Sequence, residues 1–109
     1  MPLPDYLTLL GLAMRAGKVV YGEESVKEAF FTRHVALLVL SSDAGPRTAE
    51  AFRRLAERNG VRLLTLPDSK QDLGHAIGKG LCAVAAVTNK GFAESIAAKA
   101  GNHIGGVRI

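Results

Sequence analysis

The chain has 109 residues, of which 48% are hydrophobic, with a formal net charge of +4 and a single cysteine. That length suits one domain with one core, and twelve Gly and four Pro are too few for a disordered or low-complexity chain. One cysteine rules out an internal disulfide and a cysteine-built metal site, and no apolar run is long enough to span a membrane.

Helical and strand patterns alternate along the chain. The first helix is expected from Asp5 to Ala16, with Tyr6, Leu9, Leu10 and Ala13 on one face and Gly17 at its end. A short strand, Val19 to Tyr21, leads through Gly22 to a second helix, Glu23 to Thr32, that turns Val26, Ala29 and Phe30 inward. The continuous apolar run Val35 to Leu40 reads as a central strand buried on both faces. Pro46 opens a third helix with an apolar stripe of Phe52, Leu55 and Ala56, and Asn59-Gly60 ends it. Val61 to Leu66 forms another strand. Ser69 followed by Asp72 resembles a capping box for a short helix ending at Ile77. The last strand is expected over Leu81 to Val87, and the last helix from Asn89 through Phe92, Ile96 and Ala100. Residues 101–109 show no clear period and are expected to form a flexible tail behind a single domain over 1–100. An order of α-β-α-β-α-β-α-β-α predicts a three-layer α/β/α sandwich around about four strands.

Charge is uneven along this framework. Residues 73–109 carry Lys79, Lys90, Lys99 and Arg108 against Glu94 alone. A basic domain has nucleic acid as its default polyanionic partner, although the same charge also serves solubility. No secretory signal opens the sequence, so the expected compartment is the cytoplasm.

Signals for catalysis are weak. Gly74-His-Ala-Ile-Gly78-Lys79-Gly80 has three residues between its first two glycines, lacks Ser or Thr after the Lys, and precedes a strand, so it is no nucleotide phosphate loop. His34, His75 and His103 lack ligand spacing, and no nucleophile, base and orienting acid come together. Cys82 lies in an apolar run, as a small buried hydrophobe would. Glu23 and Glu24 point about 100° apart on a helix and suit its N-terminal dipole better than paired acid–base work.

A basic, Gly-rich pair of loops carries more weight. Arg15, Lys18, Gly22 and Lys27 surround the start of the second helix, where a side-chain-free Gly22 and unpaired N–H groups can receive phosphate or base acceptors. Gly78-Lys79-Gly80 offers a second basic, open surface, and structured RNA is typically read by loops of this kind.

Several of these stretches together resemble the ribosomal L7Ae/L30e family. They are Gly22-Glu-Glu-Ser-Val26, Leu37-Leu-Val-Leu-Ser-Ser-Asp43, and Leu73-Gly-His-Ala-Ile-Gly-Lys79 with Ala83-Val-Ala-Ala-Val-Thr88. Leu9-Leu-Gly-Leu-Ala-Met-Arg-Ala-Gly-Lys18 and Gly91-Phe92-Ala93 are similar to its bacterial YlxQ-like branch, and the likeness covers about residues 5–100. It implies an α/β/α sandwich with a four-stranded mixed sheet, no catalysis, no cofactor, and binding to kink-turn RNA. In the family pattern a Gly-x-Asn-Glu loop before the second helix reads guanines. Gly22 keeps the Gly, while Glu24 falls at the Asn position, Ser25 at the Glu position and Glu28 at a usual Lys position. Lys79, Gly80 and Leu81 fall in the loop that covers the extruded base. An ionised Glu24 can only accept hydrogen bonds where Asn also donates, and Ser25 is shorter than Glu.

The expected RNA site is therefore Arg15, Lys18, Gly22, Glu23, Glu24, Ser25, Lys27, Lys79, Gly80 and Leu81, with no catalytic or metal-binding residue. The expected partner is ribosomal or other kink-turn-like RNA, with the ribosome as a further candidate. The alternative is a protein-interaction module of the translation or transcription machinery, using the Arg-rich third helix or the last helix.

Overall fold

The apolar runs between the helices assemble into one sheet. A computed structural model describes residues 3–104, with side chains to residue 101. Among these the elements are α1 (Asp5–Arg15), β1 (Val19–Tyr21), α2 (Glu23–Thr32), β2 (Leu37–Leu40), α3 (Pro46–Asn59), β3 (Leu63–Thr65), α4 (Lys70–Ala76), β4 (Val84–Val87) and α5 (Lys90–Ile104). The strand order is β1-β4-β2-β3. β4 runs antiparallel to both neighbours, pairing Tyr21 with Ala85 and Leu40 with Val84, and β2 runs parallel to β3.

Both central strands, β2 and β4, are buried along their whole length. Their side chains alternate between two cores, because successive strand residues face opposite sides. Leu37, Val39, Ala85 and Val87 meet Tyr6, Leu7 and Leu10 of α1, Leu73 of α4 and Ile96 of α5. Leu38, Leu40, Val84 and Ala86 meet Val26 and Ala29 of α2 and Phe52 and Ala56 of α3. The result is the three-layer sandwich that the element order predicts. Each fully buried Leu contributes about 1.5–3 kcal/mol to it.

Element boundaries differ where a backbone group has a better partner than the sheet. β4 begins at Val84 and not at Leu81, because the Cys82 N–H donates to the Lys70 carbonyl at 3.0 Å. β3 begins at Leu63 because the Val61 N–H closes the end of α3, donating to the Ala56 carbonyl at 2.9 Å. Regular β2 begins at Leu37, two residues later than expected, although Ala36 already donates to Val87. α5 continues to Ile104, so the first four residues of the expected tail are helical, with the buried Ala100 holding that turn to the core. Residues 105–109 of that expectation lie outside the described residues. The caps follow the sequence closely. Ser69 Oγ accepts from the Asp72 N–H, and Asn89 Oδ1 accepts from the Phe92 N–H.

Tyr6 ties α1 to the loop before α4, its buried hydroxyl donating to Asp68 Oδ1. Burial, together with the carboxylate beside it, raises the Tyr6 pKa far above the usual phenol value. The folded state thus favours the protonated phenol. This contribution is complete below the unfolded phenol pKa of about 10 and is lost as pH rises through the higher folded value. Tyr6→Phe is expected to cost about 1.5–3 kcal/mol at neutral pH, since the lost bond is to a charged acceptor. Urea midpoints at rising pH should fall more steeply above about pH 10 in the parent than in Tyr6→Phe. Parallel pH profiles would show that Tyr6 does not carry this linkage.

Candidate nucleic-acid interface

One end of the sheet gathers four turns. Tyr21, Leu40 and Thr65 end their strands there, and Val84 begins β4 beside them. The turn at Gly22 is drawn against β4, with the Gly22 N–H donating to the Val84 carbonyl at 3.1 Å. Gly22 caps α2 with φ 90° and ψ 150°, a combination open essentially to glycine alone, and no side chain caps that helix start. The N–H groups of the first turn of α2 consequently face outward with partial positive charge.

The second component is the turn 78–81 between α4 and β4. Gly74 makes it possible, because a Cβ there would stand 1.5 Å from the Gly80 carbonyl oxygen. The Lys79 N–H donates to the Gly74 carbonyl at 2.8 Å, folding the turn back over α4. The Lys79 ammonium then lies 5.3 Å from the centre of the Tyr21 ring, within cation–π range. That contact places a basic turn beside the residue immediately preceding Gly22. Leu81 is 72% exposed at the end of this turn, an apolar side chain held out to solvent. Lys79 and Gly80 are exposed as well.

The acidic residues divide. Glu23 Oε2 accepts from Thr48 Oγ1 at 2.9 Å, which turns that carboxylate toward α3. Glu24 and Ser25 are exposed at the outer start of α2. Lys27 stands one turn further on, its ammonium 6.0 Å from the centre of the Phe52 ring on α3. Asp43, in the turn after β2, accepts from the Lys70 N–H at 2.8 Å, which holds its carboxyl below the usual range. It serves the packing of turns at this end.

Lys18 is not brought into this group. The Lys18 carbonyl accepts from the Thr88 N–H, at the far end of β1 and β4. Four residues of extended chain, about 13 Å, separate Lys18 from Gly22. The structure therefore joins Gly22, Glu23, Glu24 and Ser25 with Lys79, Gly80 and Leu81, places Lys27 at the margin, keeps Arg15 near the end of α4 that leads into the 78–81 turn, and sets Lys18 apart. Sequence reasoning did not anticipate Tyr21, Thr48 or Gly74 as positioning residues. Only Gly74 had a signal, in the glycine run read as a failed phosphate loop.

Beneath the site, Cys82 is buried, and burial pushes its thiol pKa up, away from the reactive thiolate. Among the described residues no three His, Cys, Asp or Glu side chains are grouped to hold a metal ion, and no helix is long and apolar enough to cross a membrane.

Residues 5–97 match the Ribosomal protein L7Ae/L30e/S12e/Gadd45 family. The chain is 36% identical over 92 residues to the RNA-binding protein YlxQ of Bacillus subtilis (strain 168), a match covering 84% of this chain and 91% of that protein. A solved structure of a protein with unknown function from Bacillus halodurans superposes with a TM-score of 0.83 at 36% identity, covering 89% of this chain and 97% of the other. With its mixed sheet, its uncapped α2 and the turn before β4, the chain belongs to the ribosomal protein L7Ae/L30e/S12e/Gadd45 family.

Proposed function

We propose that this protein is a non-catalytic RNA-binding protein that grips a bent RNA between the Gly22 turn and the 78–81 turn. The observation that carries this reading is the adjacency of those two turns, pinned by the Lys79–Tyr21 contact, in a chain of this family. The name of the B. subtilis relative supports RNA as the ligand class.

Each residue has a chemical role in this reading. The open N–H groups at the start of α2 receive phosphate or base oxygens. The Glu24 carboxylate accepts from guanine N–H groups exposed in a kink-turn, while Thr48 holds Glu23 toward α3. Lys79 contributes one phosphate contact, and the exposed Leu81 covers an unstacked base. Translation or transcription, in the cytoplasm, is the setting this ligand favours.

Titration of the whole protein against a kink-turn RNA and a straight duplex tests this directly. The kink-turn should bind more tightly at every salt concentration. Lys79→Ala should weaken binding and lower the slope of log K against log salt by about one. Equal, weak binding to both RNAs that vanishes with salt would leave only non-specific attraction and remove the kink-turn reading.

A further inference from the structure

The Glu23–Thr48 bond joins the starts of α2 and α3, and Lys27 over the Phe52 ring joins their next turns. The two helices therefore lead away from the Gly22 turn side by side. At about 100° per residue, Arg47, Arg54 and Arg58 fall within about 40° of one another on α3, in a stripe about 16 Å long. All three are exposed, and among the described residues no ion pair engages Arg47 or Arg58. Arg54 shares Glu50 with Arg53 in exposed pairs that contribute little. Glu50 and Glu57, the acids of α3, stand about 160–180° around the helix from Thr48, turned away from α2. On α2, Phe31 lies one turn beyond Lys27 and is 86% exposed.

A lone exposed aromatic ring is ordinary on a protein surface, and so is a charged helix face. Here the acids of α3 are confined to one flank, and the ring stands on the side of α2 that carries Lys27 toward α3. An acidic peptide would use only the charge. An unpaired nucleotide strand uses both features, its phosphates meeting arginines while a base stacks on an exposed ring. The arginine stripe also continues from the Gly22 turn through Arg47, beside Thr48. We propose that the α2–α3 surface carries a single-stranded flank of the bound RNA, with Arg47, Arg54 and Arg58 along its phosphates and Phe31 under one base. This contact rests on the RNA reading above and lies outside the Gly22 and 78–81 turns.

The test titrates the full chain with a kink-turn RNA that is blunt or carries about six unpaired uridines at one end or the other. One overhang is expected to tighten binding at least about five-fold, the gain of a single stacked base. Phe31→Ala should remove most of that gain. The double variant Arg54→Gln with Arg58→Gln should also remove it, and should lower the slope of log K against log salt for the overhang RNA by about 1.4. Both variants should bind the blunt RNA as the parent does. A gain absent at both ends, or one that survives both variants, would overturn the proposal while leaving a preference for blunt kink-turn over duplex intact. Loss of that preference in the parent would instead remove the kink-turn reading and this contact with it. Poly-glutamate that binds the parent as tightly as the overhang RNA, and fails to bind the double arginine variant, would assign the surface to an acidic protein.

Discussion

Gly74→Ala is expected to destabilise the protein by about 3 kcal/mol and to weaken RNA binding together with stability. The added methyl would meet backbone on the facing turn, 1.5 Å from the Gly80 oxygen and 2.6 Å from its carbonyl carbon. A flexible side chain could swing away, but here either α4 or the 78–81 turn must move. Moving the turn breaks the Lys79 N–H bond to the Gly74 carbonyl and carries the Lys79 ammonium off Tyr21. Gly80→Ala is the matched control, because a Cβ at that position meets nothing within 4 Å. It should stay within about 0.5 kcal/mol of the parent. Urea midpoints at an unchanged slope measure both variants. Equal midpoints for the two would mean that the close approach of the turns is not what requires glycine at 74.

The second large effect is expected at Gly22, through a different mechanism. A Cβ there has open space around it, so no packing clash contributes. The cost comes from the backbone, since φ 90° with ψ 150° lies outside the left-handed helical region that Asn tolerates. Gly22→Ala and Gly22→Asn should each lose about 1–3 kcal/mol, without rescue by Asn. Relief of that strain would rotate the first N–H groups of α2 away from the 78–81 turn. RNA affinity should therefore fall even at temperatures where both variants are fully folded. A Gly22→Ala protein of unchanged stability and affinity would show that the turn relaxes freely, and that α2 does not present a fixed set of donors.

These two glycines illustrate how far the site could be read in advance. Gly22 was legible from its place between a strand and a helix, because the need for an unusual backbone turn is local. Gly74 is visible only as part of a glycine run that fails as a phosphate loop, since its partner is the carbonyl of Gly80 across a turn. The basic cluster was half legible. Lys18 and Lys27 flank Gly22 in sequence, yet β1 is extended and carries Lys18 to the far end of the sheet. Thr48, which turns Glu23 aside, is 25 residues away in the chain and carries no mark of that role.

The sequence by itself determined the layers, the helix starts and the two-sided burial of β2. Apolar periodicity, a Ser before a short helix and Pro at a first turn act within a few residues, through sterics and hydrogen bonds that do not depend on the rest of the chain. Only the tertiary structure decided which turns meet. Inserting β4 between β1 and β2 brings the turn before it beside Gly22 and sets Lys79 over Tyr21. That strand order follows from filling two opposite cores at once, a sum over many distant side chains that no single stretch of sequence contains.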